Sequence, residues 1–204
     1  LSSVSILALL AMRTRRALVN RIDHYFFRDQ YDSRRMLLEL VEECRSVEDP
    51  DSLELLLENE LDRALHLERF ALLVGNPGSG SLLSAHGRVR PLKTSWSLTK
   101  LLESSSGPVL VDLESTESPL RQLPAAEQHW LADGAFAMLV PLFTSEKSLM
   151  GVLGLGEKRS ELPFSKEDRL LVSGIAASVS LTLENRIVRA ASLRTAKESP
   201  SAEG

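Results

Sequence analysis

The sequence contains very few cysteine, histidine and aromatic residues. Its 204 residues include one cysteine, Cys44, and four histidines, and aromatic residues make up 5%. A single cysteine excludes an internal disulfide and any CxxC motif for metal binding or redox chemistry. The formal net charge is −4, from 24 basic and 28 acidic residues. Because nucleic-acid-binding domains are normally basic, this balance argues against a nucleic-acid partner.

The glycine-rich segments lack the order that a nucleotide site needs. The run 75–80 ends in Gly80 and is followed by Ser81 and Leu82, whereas a phosphate loop ends in Gly-Lys-Ser or Gly-Lys-Thr. In the run 149–156 the glycines follow the order GxxGxG, not the GxGxxG of a dinucleotide fingerprint. We interpret both runs as turns or places of close backbone approach. No motif sets a nucleophile beside a base, so the sequence predicts no catalysis, and it predicts no metal site.

The N-terminal segment 1–12 is apolar and is followed directly by Arg13, Arg15 and Arg16. A membrane-spanning helix needs about 20 apolar residues, so this segment is too short to cross a bilayer alone. Two interpretations remain open. The segment is either the end of a membrane span with the arginines on its cytoplasmic side, or a helical extension whose apolar face packs on a partner. We assign 1–32 to a membrane-proximal signalling helix.

Long helices are predicted at both ends of the domain that follows. The stretch from 14 to about 47 has no proline or glycine. Asp49 with Pro50 predicts the start of a second helix, in which leucines recur every four residues to about His66. A final helix is predicted to begin at Ser165 with a capping box and to run to about Leu193. The first and last helices carry apolar stripes with coiled-coil-like spacing. We expect these stripes to form a homodimer interface, which consists of Leu37, Val41, Cys44, Ile175, Val179, Leu183 and Ile187.

Between the helices the apolar pattern shortens to that of strands. Strands are predicted at 70–74, 81–86, 109–111, 136–143 and 149–156. The last two form a hairpin, because only a short polar turn separates them. Strands joined by hairpins imply an antiparallel sheet, and helices at both ends imply that they pack together on one of its faces. The predicted fold class is therefore α+β.

Several segments resemble one known family. They are WLADGAF at 130–136, LVPL at 139–142, LMGVLGLG at 149–156, FSKED at 164–168 and LENR at 183–186. Together they resemble the closing hairpin and exit helix of a GAF domain, and the resemblance covers roughly 33–189. The segment 23–32 (DHYFFRDQYD) resembles the link between membrane anchor and GAF domain in bacterial sensor histidine kinases and serine phosphatases. The remaining residues, 190–204, are predicted to be a linker or a disordered tail.

The resemblance implies about six antiparallel strands, with the long terminal helices packed together on one face and a cap of loops and helices on the other. GAF domains bind cyclic nucleotides, bilins, haem or other small molecules under that cap, and others bind no known ligand. This sequence lacks a cap cysteine for bilin attachment, the Asn-Lys-Phe-Asp-Glu signature of cyclic-nucleotide binding and the several cysteines of free methionine sulfoxide reductases. The cofactor is therefore left unknown. His129 is the only histidine assigned near the cap, and we interpret it as solvent-facing.

The expected function is a non-catalytic sensory or regulatory module in the cytoplasm, beside the membrane. It would dimerise through its terminal helices and transmit a signal to a downstream output domain, with a small-molecule ligand in the cap pocket as one means of control. By analogy with the fold, the predicted pocket walls are Val111, Trp130, Met138 and Val140. The alternative is a ligand-free structural dimerisation spacer, whose pocket is filled by its own side chains, with Trp96, Trp130 and Met138 as fillers.

Overall fold

The computed structural model describes residues 39–40, 42–44, 47, 49–75, 79–84 and 86–198, with side chains as far as 189. Leu37, Val41 and the segment 1–32 lie outside these residues, so the predictions made for them stay predictions. Residues 39–40 and 42–44 are helical. The elements that follow are α1 (Pro50–Leu65), β1 (Phe70–Val74), β2 (Ser81–Ser84), β3 (Leu92–Lys93), α2 (Ser97–Ser104), β4 (Val109–Leu110), a 3₁₀ helix (Pro119–Gln122), α3 (Ala125–Gly134), β5 (Met138–Phe143), β6 (Leu149–Leu155) and α4 (Lys166–Glu198).

The bounds of α1 follow from local signals in the sequence. Asp49 is the N-cap, and its side chain accepts from the Ser52 N–H at 2.7 Å, while Pro50 supplies the first helical residue. The helix ends at His66, which adopts the left-handed conformation with φ of 52°. The predicted start and end of this helix are confirmed. Its leucines at every fourth position lie on one buried face, and they are Leu53, Leu57, Leu61 and Leu65.

The strands form one antiparallel sheet in the order β3-β2-β1-β6-β5-β4. β1 pairs with β6 over its whole length, from Phe70 opposite Leu155 to Val74 opposite Gly151. β5 and β6 form the predicted hairpin. The two-residue strands β3 and β4 lie at the edges, and the sequence pattern does not predict β3. The six-stranded antiparallel α+β fold is thereby confirmed.

Side chains alternate along the central strands, so each face of the sheet has its own core. Along β1, Phe70, Leu72 and Val74 point to one face, and Ala71 and Leu73 point to the other. The first face is covered by α1 and α4, and we call it the helix face. The second is covered by α2, the 3₁₀ helix and α3, and we call it the cap face. Because both faces are buried, the strand sequence is a continuous apolar run.

α4 begins with the predicted capping box. The Ser165 N–H donates to Asp168 Oδ2 at 2.8 Å, and the Asp168 N–H donates to Ser165 Oγ at 3.1 Å. Asp168 also accepts from Lys158 Nζ at 2.8 Å. Lys158 lies in the loop after β6, so this ion pair fastens the start of α4 to the sheet.

α4 continues to Glu198, beyond its predicted end near Leu193. Residues 190–198 of the predicted tail are therefore helical. The reason is local, because three of the residues in 190–198 are alanine and this stretch has no proline or glycine before Pro200. The part Lys166–Arg189 is long and apolar enough to cross a membrane, judged by length and composition. One side of it packs on the sheet in this structure.

The apolar stripe predicted as a dimer interface belongs to the chain's own core. Ile175, Val179 and Leu183 are buried on the helix face, Cys44 is buried in the same cluster, and Ile187 is partly buried against it. The assignment of these five residues to an interface is therefore corrected. A helix that packs on a sheet and a helix in a coiled coil have similar apolar spacing, and the sequence alone does not distinguish them.

Candidate functional site

A buried carboxylate on α3 holds the cap together. Glu127 is 4% exposed, and it accepts from the first two backbone N–H groups of α2. Ser97 N donates to Oε1 at 3.1 Å, and Leu98 N donates to Oε2 at 2.7 Å. Trp96, the residue before α2, supplies no side-chain cap. Glu127 therefore acts as the N-cap of a different helix, where the unpaired N–H groups carry partial positive charge.

The rest of α3 is tied to the sheet and to the segment before β3. Arg69 Nη1 donates to the carbonyl oxygens of Asp133 at 3.3 Å and Gly134 at 3.4 Å, at the end of α3. Trp130 Nε1 donates to the carbonyl oxygen of Arg90 at 2.8 Å. These bonds fix α3 over the cap face along its length.

One aromatic ring fills the centre of the cap face. Ala135 ends α3 in the left-handed conformation, with φ of 48°, and the next residue is Phe136. A Cβ atom on Gly134 would lie 2.3 Å from Phe136 Cε2, and a Cβ atom on Gly154 of β6 would lie 2.3 Å from Phe136 Cε1. The ring of Phe136 therefore occupies space that exists only because both neighbours are glycine.

Phe136 belongs to a cluster with both tryptophans of the chain. The ring centroids of Phe136 and Trp130 are 5.4 Å apart, and Trp96 meets Trp130 edge-on at 6.3 Å. We call these three residues the cap aromatic cluster. Buried apolar side chains share the same core, among them Leu98, Leu102, Leu120, Leu131, Leu139 and Val152. The interior of the cap face is thus occupied by side chains of the protein itself.

The four residues predicted to line one ligand pocket do not come together. Trp130 is buried on the cap face, and Val111 packs at its margin, so their placement agrees with a cap site. Met138 and Val140 lie instead in the core of the helix face. The placement of these two is wrong by one residue in register, because Leu139 is the β5 residue that faces the cap. The ligand-binding role of Val111 and Trp130 stays a prediction.

The glycines of 149–156 were the one feature of the sequence that pointed to site residues not identified from the sequence. Glycines inside a strand indicate close approach of another group, and the interpretation of 149–156 in these terms is confirmed. A Cβ atom on Gly151 would lie 2.7 Å from the carbonyl oxygen of Leu73, and Gly154 contacts the ring of Phe136. No local pattern pointed to Glu127, because its partners at the start of α2 are distant in sequence.

A second buried carboxylate joins α1 to β1 and to the chain just after β2. Glu54 is fully buried, and its Oε1 accepts from the Leu72 N–H at 3.1 Å. Its Oε2 accepts from the His86 N–H at 3.1 Å and lies 2.9 Å from His86 Nδ1. β1 and β2 pair at Leu73 with Ser84 and at Val74 with Leu83. Glu54 therefore satisfies backbone N–H groups just beyond this ladder, which is a structural role.

Cys44 is not placed for thiol chemistry. Burial raises the pKa of its thiol to about 11, opposed by the positive charge of Arg186 and reinforced by the negative charge of Glu43. The thiol is therefore protonated at neutral pH, whereas nucleophilic and redox chemistry need the thiolate. In the part of the chain that the structure describes, no group of three or more histidine, cysteine or acidic side chains could hold a metal ion.

No protein-family model and no curated protein sequence matches the chain, but solved structures do. The GAF domain of a phosphoenolpyruvate-protein phosphotransferase from Coxiella burnetii is similar with a TM-score of 0.59 at 14% identity, over 78% of this chain and 96% of that one. The chain has the GAF fold.

Two further GAF-fold structures extend the comparison. The GAF domain assigned to a sensor histidine kinase from Pseudomonas syringae pv. tomato matches with a TM-score of 0.53 at 15% identity, over 82% of this chain and 96% of that one. Free methionine-R-sulfoxide reductase from Neisseria meningitidis, solved with its substrate, matches with a TM-score of 0.54 at 15% identity, over 78% of this chain and 91% of that one. At these identities the likeness concerns the fold alone, since one fold supports many functions.

Proposed function

We propose that this chain is a non-catalytic regulatory module that works as a homodimer and transmits a change in helix packing to an output domain. The fold supports the proposal, because GAF domains occur in a phosphotransferase and in a protein assigned as a sensor histidine kinase. Since fold alone does not determine function, the proposal depends on a feature of α4.

That feature is a second apolar stripe on α4, on the side away from the sheet. Leu170 is 63% exposed and Leu181 is 55% exposed, and Ala177 between them is also exposed. At about 100° per residue, these three positions lie within about 40° of one another and about 180° from the buried Val179. We call Leu170, Ala177 and Leu181 the outer stripe.

A second copy of the chain is the partner that suits the outer stripe. Its spacings of seven and four residues are those with which like helices pair, and a two-fold axis would bring the same stripe from both copies together. α4 also reaches well past its last core contacts at Leu183 and Ile187, since it continues to Glu198. A rotation of the paired helices would therefore move the C-terminal end of α4, which in this proposal leads to an output domain.

The experiment compares two leucine-to-glutamate variants at exposed positions. Leu181→Glu places a charge in the outer stripe, and Leu83→Glu places the same charge on β2, where the leucine is 52% exposed. We expect the parent and Leu83→Glu to sediment as dimers and Leu181→Glu to sediment as a folded monomer. A monomeric parent at the highest soluble concentration, or a dimeric Leu181→Glu, would contradict the proposal.

We further propose that the module is non-catalytic and that it lies in the cytoplasm beside the membrane. The buried and protonated Cys44 argues against the thiol chemistry of cysteine-dependent reductases of this fold. The arginine cluster at 13–16, directly after the apolar segment 1–12, supports the cytoplasmic side of a membrane.

A second candidate function, a ligand-free dimerisation spacer, is favoured by the filled cap. Phe136 is 5% exposed and occupies the space between two glycines, and Trp130 covers it. Native mass spectrometry of gently purified protein separates the candidates. A small molecule retained by the folded dimer would favour the sensory module. A dimer whose mass equals that of two chains alone would favour the spacer.

A further inference from the structure

The guanidinium of Arg186 on α4 is a buried charge whose terminal nitrogens are unpaired. Nη1 and Nη2 are both shielded from solvent, and neither has a hydrogen-bond partner among the residues that the structure describes. Burial of an ionised group is unfavourable unless an opposite charge and hydrogen bonds compensate it. Arginine does not avoid this cost by losing its proton. The guanidinium therefore calls for an anionic partner.

The position of Arg186 along α4 accounts for its burial. At about 100° per residue, it lies within about 20° of both Ile175 and Val179 around the helix axis. Those two residues pack on the helix face of the sheet. Arg186 therefore lies on the inner side of α4, between the core residues Leu183 and Ile187, where an apolar side chain would be expected.

The groups close to Arg186 do not neutralise its charge. Burial raises the pKa of the Cys44 thiol to about 11 against the opposing charge of Arg186, so the thiol is protonated at neutral pH and is not an anion. Hydrogen bonds from Ser52 and, to a smaller extent, the charge of Arg186 lower the pKa of Asp49. The Asp49 carboxylate is occupied as the N-cap of α1 and makes no hydrogen bond to Nη1 or Nη2.

We propose that Arg186 is the binding site of a small free carboxylate, held between the inner side of α4 and the helical residues around Cys44. The two Nη groups of a guanidinium lie side by side in one plane, and they match the two oxygens of a carboxylate. A single positive charge suits a monoanion, whereas a doubly charged phosphate would bury a second negative charge without a partner.

The surroundings of Arg186 favour a carboxylate with a short alkyl group. Leu40, Cys44 and Leu183 belong to one buried apolar cluster, so a polar substituent on the ligand would be left without partners there. Solvent lies close by, because Val188 is 59% exposed and Arg189 is also exposed. A small anion therefore needs to pass only a short distance from the surface, while the sheet and its two cores stay in place.

A carboxylate at this position would affect the helix that carries the proposed function. It would join α4 to the residues around Cys44 beyond the contacts of Leu183, and so restrain the part of α4 that continues to Glu198. This consequence rests on the proposed function, whereas the binding site itself does not.

The test uses sodium acetate as the probe and the full chain as the protein. Arg186→Met replaces the charge by an unbranched apolar side chain, and Arg189→Met is the matched control, because Arg189 is exposed on the same helix. Thermal unfolding is measured in dilute buffer with sodium acetate or with sodium chloride at equal concentration. We expect acetate at about five times its Kd to raise the Tm of the parent and of Arg189→Met by about 2–4 °C above the chloride value, and to leave Arg186→Met unchanged.

The stability without added acetate is a second readout, and it identifies the source of the carboxylate. If the partner is a free carboxylate, Arg186→Met should unfold at the Tm of the parent or above it, because an apolar group then replaces an unpaired buried charge. If the chain pairs Arg186 with a carboxylate of its own, Arg186→Met should unfold at a lower temperature than the parent or fail to fold. Either of these last two results would overturn the proposal.

Two further results would also overturn it. A parent whose Tm does not respond to acetate has no such site, and this measurement needs no variant. Equal gains from acetate and chloride would show that the site does not recognise a carboxylate. The dimer experiment with Leu181→Glu concerns the outer stripe and uses no acetate, so a failure of this site and a failure of the proposed function are distinguishable.

Discussion

Ser145 and Glu184 connect the turn of the central hairpin to the second half of α4. The Ser145 N–H donates to both carboxylate oxygens of Glu184, at 3.0 and 3.2 Å, and the Ser145 hydroxyl donates to Oε1 at 2.6 Å. The ion pair of Lys158 with Asp168 fastens the same helix near its start. Positions 168 and 184 lie about 24 Å apart on a helix that rises 1.5 Å per residue. The turn of the hairpin and the loop after β6 thus hold α4 at two separated points.

The Ser145 contact predicts an acid-sensitive contribution to stability. Hydrogen bonds from the Ser145 hydroxyl and then from its N–H lower the pKa of Glu184 below its ordinary value of 4.5. A carboxyl with a lowered folded-state pKa stabilises the fold above its unfolded pKa, and this stability is lost as the pH falls through the folded pKa.

The measurement is urea unfolding of the parent and Glu184→Gln across the acid range. At neutral pH we expect Glu184→Gln to have the lower free energy of unfolding. As the pH falls below 4.5 and then through the lowered pKa of Glu184 in the folded state, the two proteins should converge, because the parent carboxyl becomes neutral. Ser145→Ala removes only the hydroxyl bond and keeps the N–H that donates to Glu184, so it should show a smaller loss at neutral pH. A gap between parent and Glu184→Gln that keeps its size in strong acid would refute this account.

Removal of the Glu127 carboxylate should loosen the cap. Glu127→Ala leaves the N–H groups of Ser97 and Leu98 without their acceptors in a buried place, which costs about 1–3 kcal/mol. Glu127→Gln keeps one carbonyl oxygen and should lose less. Glu103→Ala is the control, since Glu103 is exposed on α2. Urea unfolding gives the free energies, and equal values for Glu127→Ala and Glu103→Ala would show that the cap does not need this bond.

Local patterns predicted much of the fold. Asp49 and Pro50 mark the start of α1, and Ser165 with Asp168 marks the start of α4, because capping depends on residues three or fewer positions apart. β3 could not be predicted in this way, because a strand of two residues is too short to show an alternating apolar pattern. The register of β5 could not be predicted from local patterns either. Both faces of β5 are buried, so its sequence is apolar throughout, and nothing local distinguishes Leu139 from Met138.

The candidate site was less predictable than the fold because its contacts join distant segments. Glu127 caps a helix 29 residues earlier, and Glu54 binds the N–H of His86 32 residues later. The stripe of α4 illustrates the same difficulty. The periodicity of Ile175 and Val179 correctly indicates a buried side, and only the structure shows that the sheet covers it.

A side chain at position 154 should disturb Phe136. The added Cβ of Gly154→Ala would lie 2.3 Å from the ring, so the ring must move, and overpacking of this kind costs about 1–3 kcal/mol. Gly107→Ala is the control, because a Cβ there meets nothing within 4 Å. Combining Gly154→Ala with Phe136→Leu in a double-mutant cycle should recover part of the loss. Additive losses in the cycle would mean that the ring is not the obstacle.

Truncation of Ile175 and truncation of Leu181 should affect different properties, although both are apolar residues of α4. The first should lower the stability of the fold, and the second should weaken the dimer. Ile175 is fully buried against the sheet, so Ile175→Ala should lower the free energy of unfolding by about 2–5 kcal/mol. Leu181 points away from the sheet, so Leu181→Ala should change monomer stability by no more than about 0.5 kcal/mol while it weakens the dimer. Urea unfolding at low protein concentration and sedimentation at high concentration separate the two effects.

Ile175→Glu should yield unfolded protein, because the charge would lie within the core. A well-folded monomeric Ile175→Glu would instead place the dimer interface on the inner side of α4, and the outer stripe would lose its role.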